Sequence, residues 1–206
     1  MGYHFDTWVK RYAERSDLST KLVHLTKEQG SVDGEDVMLK ILNDNVINGS
    51  GRNGFIVGNT KAACFQDVPL TAVCQNCWYE QKYREKNTKT KVRYEPIGFL
   101  VEKTHVYRQG GRPVIYDKTD IAKTYLPTNE YWKIVNFDLD SDENIIDWTH
   151  EREWRVPDKF QLDLKTTVLL FANDGDVRKF IEKCDDNGSD VYKKVSGFVT
   201  MSALLY

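Results

Sequence analysis

The 206-residue chain is 40% apolar and 29% charged, the balance of a globular protein and not of a disordered one. Its formal net charge of −2 exerts no global pull on polyanions, so contact with a nucleic acid needs a local basic patch. No apolar run approaches the roughly 20 residues that span a bilayer, and the charged start lacks the apolar stretch of a secretion signal. The expectation is a cytoplasmic protein forming one domain over residues 1–206, without membrane contact.

In chain order, residues 3–15 predict a short helix that partly buries Tyr3, Trp8, Val9 and Tyr12. Residues 22–26 (LVHLT) read as a strand. Val37, Met38, Ile41, Leu42 and Val46 then recur at helical spacing, with Asp33 or Asp36 able to cap the start and Gly49 and Gly51 just past the end. Residues 62–65 begin another strand, closed by Pro69, and residues 70–86 read as a helix that turns basic and polar. Further strands are expected at 97–102, 113–116, 133–138, 151–156, 166–171 and 197–201. Val177, Phe180, Ile181 and Cys184 mark a late amphipathic helix, with Asp174 to cap it and Gly188 to end it. Strands dominate and helices do not alternate regularly with them, which argues for an α+β fold over a doubly wound sheet. No Gly-rich dinucleotide or P-loop fingerprint is present.

Four cysteines stand at 64, 74, 77 and 184. Cys74 and Cys77 form a single CxxC. A structural zinc site takes four ligands, usually as two such pairs, and no spacing here demands that Cys64, Cys184 or a histidine complete one, so no metal is expected.

Two segments carry chemistry. His24 and Thr26 lie two apart in a strand and so share a face. Within residues 147–157 (DWTHEREWRVP), a strand over 151–156 would put Glu151, Glu153 and Arg155 on one face. Such a trio is either a surface ion-pair ladder or a cleft lined by Glu153 and steadied by Arg155. Basic Lys82, Arg84, Lys86, Lys89, Lys91 and Arg93 crowd one stretch among Trp78, Tyr79, Tyr83 and Tyr94. That mixture suits either a solvated helix and loop or single-stranded nucleic acid, with phosphates paired and bases stacked.

The run from HLT through LKILNDNVINGSG resembles the first NAD-binding segment of the ADP-ribosyltransferase superfamily, where a strand histidine followed by threonine precedes such a helix. The DarT toxins, which modify single-stranded DNA, carry a similar His-x-Thr. The resemblance implies an ADP-ribosyltransferase-like split β-sheet core with a few flanking helices, and NAD as substrate. By it His24 would bind the adenosine-side ribose, with Thr26 assisting. Glu151-Arg152-Glu153 resembles the superfamily's late-strand E-x-E, which makes Glu153 the expected catalytic carboxylate, with Glu151 and Arg155 on the acceptor side. The chemistry fits the residue type: breaking the nicotinamide–ribose bond develops oxocarbenium character, which a nearby carboxylate stabilises.

Residues 63–70 (ACFQDVPL), 98–101 (GFLV), 106–116 (VYRQGGRPVIY) and 147–157 are also similar to the abortive-infection AbiGi family of bacterial phage-defence proteins, in separated blocks between residues 22 and 157. That family is labelled an antitoxin. Around the Gly110-Gly111 turn, Arg112 is the better candidate to grip a pyrophosphate, ahead of Arg108. Phe65, Tyr107 and Tyr116 are candidates to stack on nicotinamide or adenine, or are simply core. The expected function is an NAD-dependent ADP-ribosyltransferase, a defence toxin acting on a base in single-stranded DNA or RNA and neutralised by an antitoxin protein. Lys82, Arg84, Lys89 and Lys91 would hold the strand. The alternatives are a non-catalytic antitoxin or nucleic-acid-binding module, and a nuclease built on His105, His150, Asp147 and Glu151.

Overall fold

The computed structural model describes residues 2–52, 55–86 and 93–204. Its elements in chain order are α1 (Phe5–Ala13), β1 (Lys21–Leu25), α2 (Gly34–Asp44), β2 (Val46–Asn48), β3 (Ala62–Gln66), α3 (Leu70–Lys86), β4 (Gly98–Glu102) and α4 (Lys103–Arg108). There follow β5 (Arg112–Pro113), β6 (Ile115–Asp117), α5 (Thr119–Tyr125), β7 (Ile134–Asn136), β8 (Glu153–Pro157), β9 (Lys159–Gln161), β10 (Val168–Phe171), α6 (Asp174–Asp186) and β11 (Gly197–Thr200). Short 3-10 turns cover Thr128–Lys133 and Thr149–Glu151. The fold is mixed α+β, and among the described residues no helix is long and apolar enough to cross a membrane.

The chain divides into two compact units. One comprises Met1–Asn45, Val68–Glu102 and Leu162–Tyr206, the other Val46–Asp67 and Lys103–Gln161.

In the first unit, four strands run in the order β11-β10-β4-β1. β4 is antiparallel to both β1 and β10, and β10 is parallel to β11. Both faces of this sheet are covered, which is why its strands read as nearly continuous apolar runs (KLVHL, GFLVE, VLLF). Val23, Leu100 and Leu170 pack with Val73, Cys74 and Cys77 of α3 and with Met201. On the other face, Leu169 stands in register with Phe99, and Phe99 with His24. Phe171 two residues on packs its ring 5.3 Å from that of Phe180 in α6. The two CxxC thiols are therefore core side chains one helical turn apart, and all four cysteines remain thiols.

Local signals place the helices of this unit. Asp33 Oδ1 accepts the Asp36 N–H at 2.7 Å at the start of α2. That helix stops at Asn45, left-handed at φ 53°, and not at the glycines beyond, so Val46 belongs to a strand. α6 is capped by Asn173, not Asp174, because the Asn173 side chain lies one residue outside the helix and accepts the Asp176 N–H. α1 forms as expected with Trp8, Val9 and Tyr12 half-buried, but Tyr3 is exposed.

The second unit is built on β3-β8-β5, all antiparallel neighbours, with β2 antiparallel to β9 and β6 parallel to β7. On one face of β3 and β8, Phe65 meets Phe160 edge-on at 5.1 Å, and His105 of α4 meets the same ring at 5.3 Å. On the other face, Cys64 packs against a cluster of Ile56, Ala62 and Trp132. The expected strand over 113–116 is split into β5 and β6 at Val114, whose N–H instead donates to the Glu153 carbonyl. The expected strand over 133–138 shortens to β7, because residues 128–133 wind into a 3-10 turn.

Candidate active site

Strand β8 begins at Glu153, two residues later than the periodicity suggests. Asp147 is the cause: its Oδ1 accepts both the backbone N–H (2.8 Å) and the hydroxyl (2.6 Å) of Thr149, folding Thr149–Glu151 into a 3-10 turn. Arg152 then takes a left-handed φ of 45° before the chain extends. Glu151 thus sits in the turn and does not share a strand face with Glu153. Its carbonyl accepts the Asp67 N–H. The expected three-residue ladder is reduced to Glu153 and Arg155.

Those two residues form the centre of a buried polar cluster. Directly opposed residues in an antiparallel pair share a face. The register sets Gln66 opposite Glu153, and Cys64 opposite Arg155. Glu153 is 8% exposed and Arg155 3%. Arg155 Nε donates to Glu153 Oε1 at 2.7 Å, and its Nη2 lies 3.3 Å from Oε2, a forked pairing. Its Nη1 donates to the carbonyls of Trp132 (2.7 Å) and Ile134 (2.9 Å), tying β8 to the entry of β7. Burial is the strongest single influence and works against the guanidinium charge, but the charge and hydrogen bonds of its neighbours, Glu153 first among them, together outweigh it and hold the Arg155 pKa up. The Glu153 N–H donates to the Tyr116 phenol oxygen at 2.8 Å, which leaves the phenol proton available to an acceptor. Burial also raises the Tyr116 pKa, so the phenol stays protonated at neutral pH.

Two further members were not legible as site residues. Burial, then the negative charge of Glu153, pushes the Cys64 thiol well up. The thiol is therefore protonated and no nucleophile. Gln66 is 8% exposed, and its Oε1 accepts no hydrogen bond among the described residues. Only the β3–β8 register reveals Gln66, since no sequence spacing connects it to Glu153.

The other candidates fall elsewhere. His24 lies in β1, its ring centroid 6.2 Å from that of its register partner Phe99. Thr26 follows the strand, is buried, and donates its N–H to the Ile97 carbonyl at 3.0 Å. Both belong to the first unit. The cavities of about 420 and 240 Å³ in that unit are lined by neither. Phe65 is 1% exposed and presents no ring face to a ligand, because the pleat turns it onto Phe160. Arg112 is in register with Arg155, yet its guanidinium stacks 4.0 Å over the Tyr107 ring and donates to the Tyr107 and Gly111 carbonyls.

Lys82 and Arg84 lie in the last turns of α3, where Lys82 Nζ sits 4.9 Å from the centre of the Trp78 ring and Tyr79 stacks on Tyr83 at 6.2 Å. Trp78, Tyr79 and Tyr83 are exposed. Lys89 and Lys91 lie outside the described residues. His105 is engaged through Nε2 with the Gln161 carbonyl (3.0 Å) and the Gln109 amide, and His150 neighbours Trp148. No group of His, Cys, Asp and Glu among the described residues could hold a metal ion.

The fold and this cluster define an α+β protein with a buried, arginine-held carboxylate. Compared with known proteins, the chain matches no family model, no curated protein and no solved structure.

Proposed function

We propose that this protein is an NAD-dependent ADP-ribosyltransferase, a defence toxin whose catalytic carboxylate is Glu153 and whose acceptor is a base in single-stranded nucleic acid. The observation that carries the reading is the built environment of Glu153. Its carboxylate is held in one orientation by Arg155 and its backbone by Tyr116, and a Gln66 oxygen with no donor among the described residues stands in register beside it. A carboxylate fixed where water is scarce stabilises a developing oxocarbenium ion more than a mobile one does. In the reaction, the bond from ribose C1′ to nicotinamide breaks and nicotinamide leaves with the bonding pair. The acceptor nitrogen then bonds to C1′ and gives up its proton. Gln66 Oε1 offers an acceptor to an amide or hydroxyl donor of the dinucleotide. The exposed Trp78, Tyr79 and Tyr83 with Lys82 supply ring faces and positive charge for a strand.

A second reading, a non-catalytic antitoxin or nucleic-acid-binding module, is favoured by one observation. Arg155 directs its donors to Glu153 and two carbonyls, an arrangement that also serves as scaffolding. One assay separates the two readings: labelled NAD is incubated with single-stranded DNA and RNA and either the protein or its Glu153→Gln variant, which keeps an oxygen toward Arg155. We expect label transfer or nicotinamide release, reduced about 10²- to 10³-fold in the variant, as for loss of a charge-stabilising group. Tight strand binding with no NAD turnover supports the module. Strand cleavage that depends on added metal supports a nuclease.

A further inference from the structure

The turn that delivers Glu153 into β8 is held from two sides. From within, Asp147 folds Thr149–Glu151 through the amide and hydroxyl of Thr149. From outside, the Asp67 N–H lies 3.3 Å from the Glu151 carbonyl oxygen and 3.2 Å from that of Arg152, one donor shared between two acceptors. Asp67 follows directly on Gln66, the last residue of β3, which stands in register with Glu153. The backbone of Asp67 therefore fixes both the turn before Glu153 and the strand end beside it. Its side chain is committed as well: Asp67 Oδ1 lies 2.7 Å from Lys103 Nζ.

Lys103 opens α4 and is 7% exposed. Local chemistry gives no reason for a lysine at that position. Its charge meets the positive end of the helix dipole, and a buried ammonium is strongly unfavourable unless it is paired. An apolar pair of similar volume would hold the fold as well or better. What an apolar pair lacks is direction. The 2.7 Å contact sets the place of the Asp67 carboxylate, and with it that of the Asp67 amide. That amide matters because of Arg152, a residue with a side chain that nevertheless takes φ 45°. Such a conformation persists only where the surroundings hold it. If Arg152 relaxed, the chain would enter β8 in another direction and Glu153 would leave its place opposite Gln66.

We infer that Asp67 and Lys103 are positioning residues for Glu153, an inference that rests on the catalytic role proposed for that carboxylate. The buried pair fixes the Asp67 amide. The amide holds the carbonyls of Glu151 and Arg152, and Arg152 in its left-handed conformation sets Glu153 at the start of the strand. Loss of the pair therefore slows the chemical step before it weakens the binding of either substrate, since a misplacement of about 1 Å is enough to cost about 10²-fold in rate.

The test compares the parent chain with Lys103→Met, which keeps the stem and removes the charge, and with Lys103→Arg, which keeps the charge. Asp67→Asn and the double variant Lys103→Met/Asp67→Asn complete the set. In NAD turnover with single-stranded DNA and RNA, kcat should fall about 10- to 100-fold in Lys103→Met and in Asp67→Asn, with KM within about twofold of the parent. The double variant should be no worse than either single, because the two residues act as one unit. It also leaves no carboxylate without its ammonium, so it serves if Lys103→Met fails to fold. Lys103→Arg should stay closer to the parent than Lys103→Met does. Amide hydrogen exchange followed by NMR reads the same geometry without any activity. In the double variant the Asp67 and Glu153 amides should exchange about tenfold faster relative to the Leu169 amide of β10, the size of one weakened hydrogen bond. Parental kcat in every variant, a loss carried by KM, or unchanged exchange at Glu153 overturns the inference. A parent chain that turns over no NAD overturns instead the proposed role of Glu153, and the exchange rates then decide by themselves whether the pair positions it.

Discussion

Arg155→Met is the sharpest probe of the buried cluster, because it keeps the length of the side chain and removes its charge and its donors. In the native chain Arg155 neutralises a carboxylate that is 8% exposed and satisfies the carbonyls of Trp132 and Ile134. Removing one partner of such a pair leaves an uncompensated charge and costs about 3–5 kcal/mol. The two carbonyls lose donors as well, at about 1 kcal/mol each where water cannot replace them. These contributions are not additive, and a loss of about 4–6 kcal/mol is expected, a large part of the 5–15 kcal/mol by which domains are usually stable. At about 2–4 °C per kcal/mol for a chain of this size, the melting temperature should fall by at least about 8 °C. Glu153→Gln should cost less, since the amide oxygen still accepts from Nε. The double variant should recover about 2–3 kcal/mol relative to the sum of the singles, because it buries no orphan charge. Urea unfolding followed by circular dichroism, with the slope checked for constancy, gives all three values. A loss below about 1 kcal/mol for Arg155→Met, the level of an exposed ion pair, refutes the reasoning. So does strict additivity.

Two further outcomes follow from the core. Burial pushes the Cys64 thiol well up and, with the charges of Cys74 and Glu80 adding to it, the Cys77 thiol up to about 12, whereas an unfolded thiol ionises near about 8.5. The unfolded chain therefore sheds protons that the folded chain keeps. Stability is complete below about pH 8.5 and falls as pH rises toward the folded values, by up to about 1.4 kcal/mol per pH unit for each thiol. Urea midpoints between pH 7 and 10 should decline, and should decline less steeply in Cys77→Ala, where the raised thiols of Cys64, Cys74 and Cys184 remain; a flat profile in the parent chain contradicts the burial argument. Gly98 stands in register with Leu25, where an added Cβ would lie 2.2 Å from the His24 carbonyl oxygen. Gly98→Ala should cost about 1–3 kcal/mol, in the range of core overpacking, and should shift the His24 amide resonance; an unperturbed spectrum and melt would show that β1 and β4 do not approach so closely.

What could be read before folding was local. The limits of α3, the Asp33 cap of α2, the strand through His24 and the late amphipathic helix all follow from periodicity and capping chemistry, which act within one or two turns of the chain. Errors came where the backbone turned away from the periodic pattern at a single residue. Asp147 winds residues 149–151 into a turn and detaches Glu151 from the strand, and Asn45 ends α2 before the glycines do. β9, α4 and α5 escaped notice because each is too short to show a period.

The residue types thus determined the α+β class and marked Glu153 and Arg155 as a pair worth attention. Tertiary structure alone decided their company. The β3–β8 ladder sets Gln66 and Cys64 beside them, and the pleat turns Phe65 to the opposite face. Strand propensity says that a segment will pair but not with which partner or in which register, and a slip of one residue would exchange the two faces. The cavity between the ends of α2 and α6 is likewise a product of packing between segments more than a hundred residues apart along the chain, joined by the Ser189–Asn43 hydrogen bond.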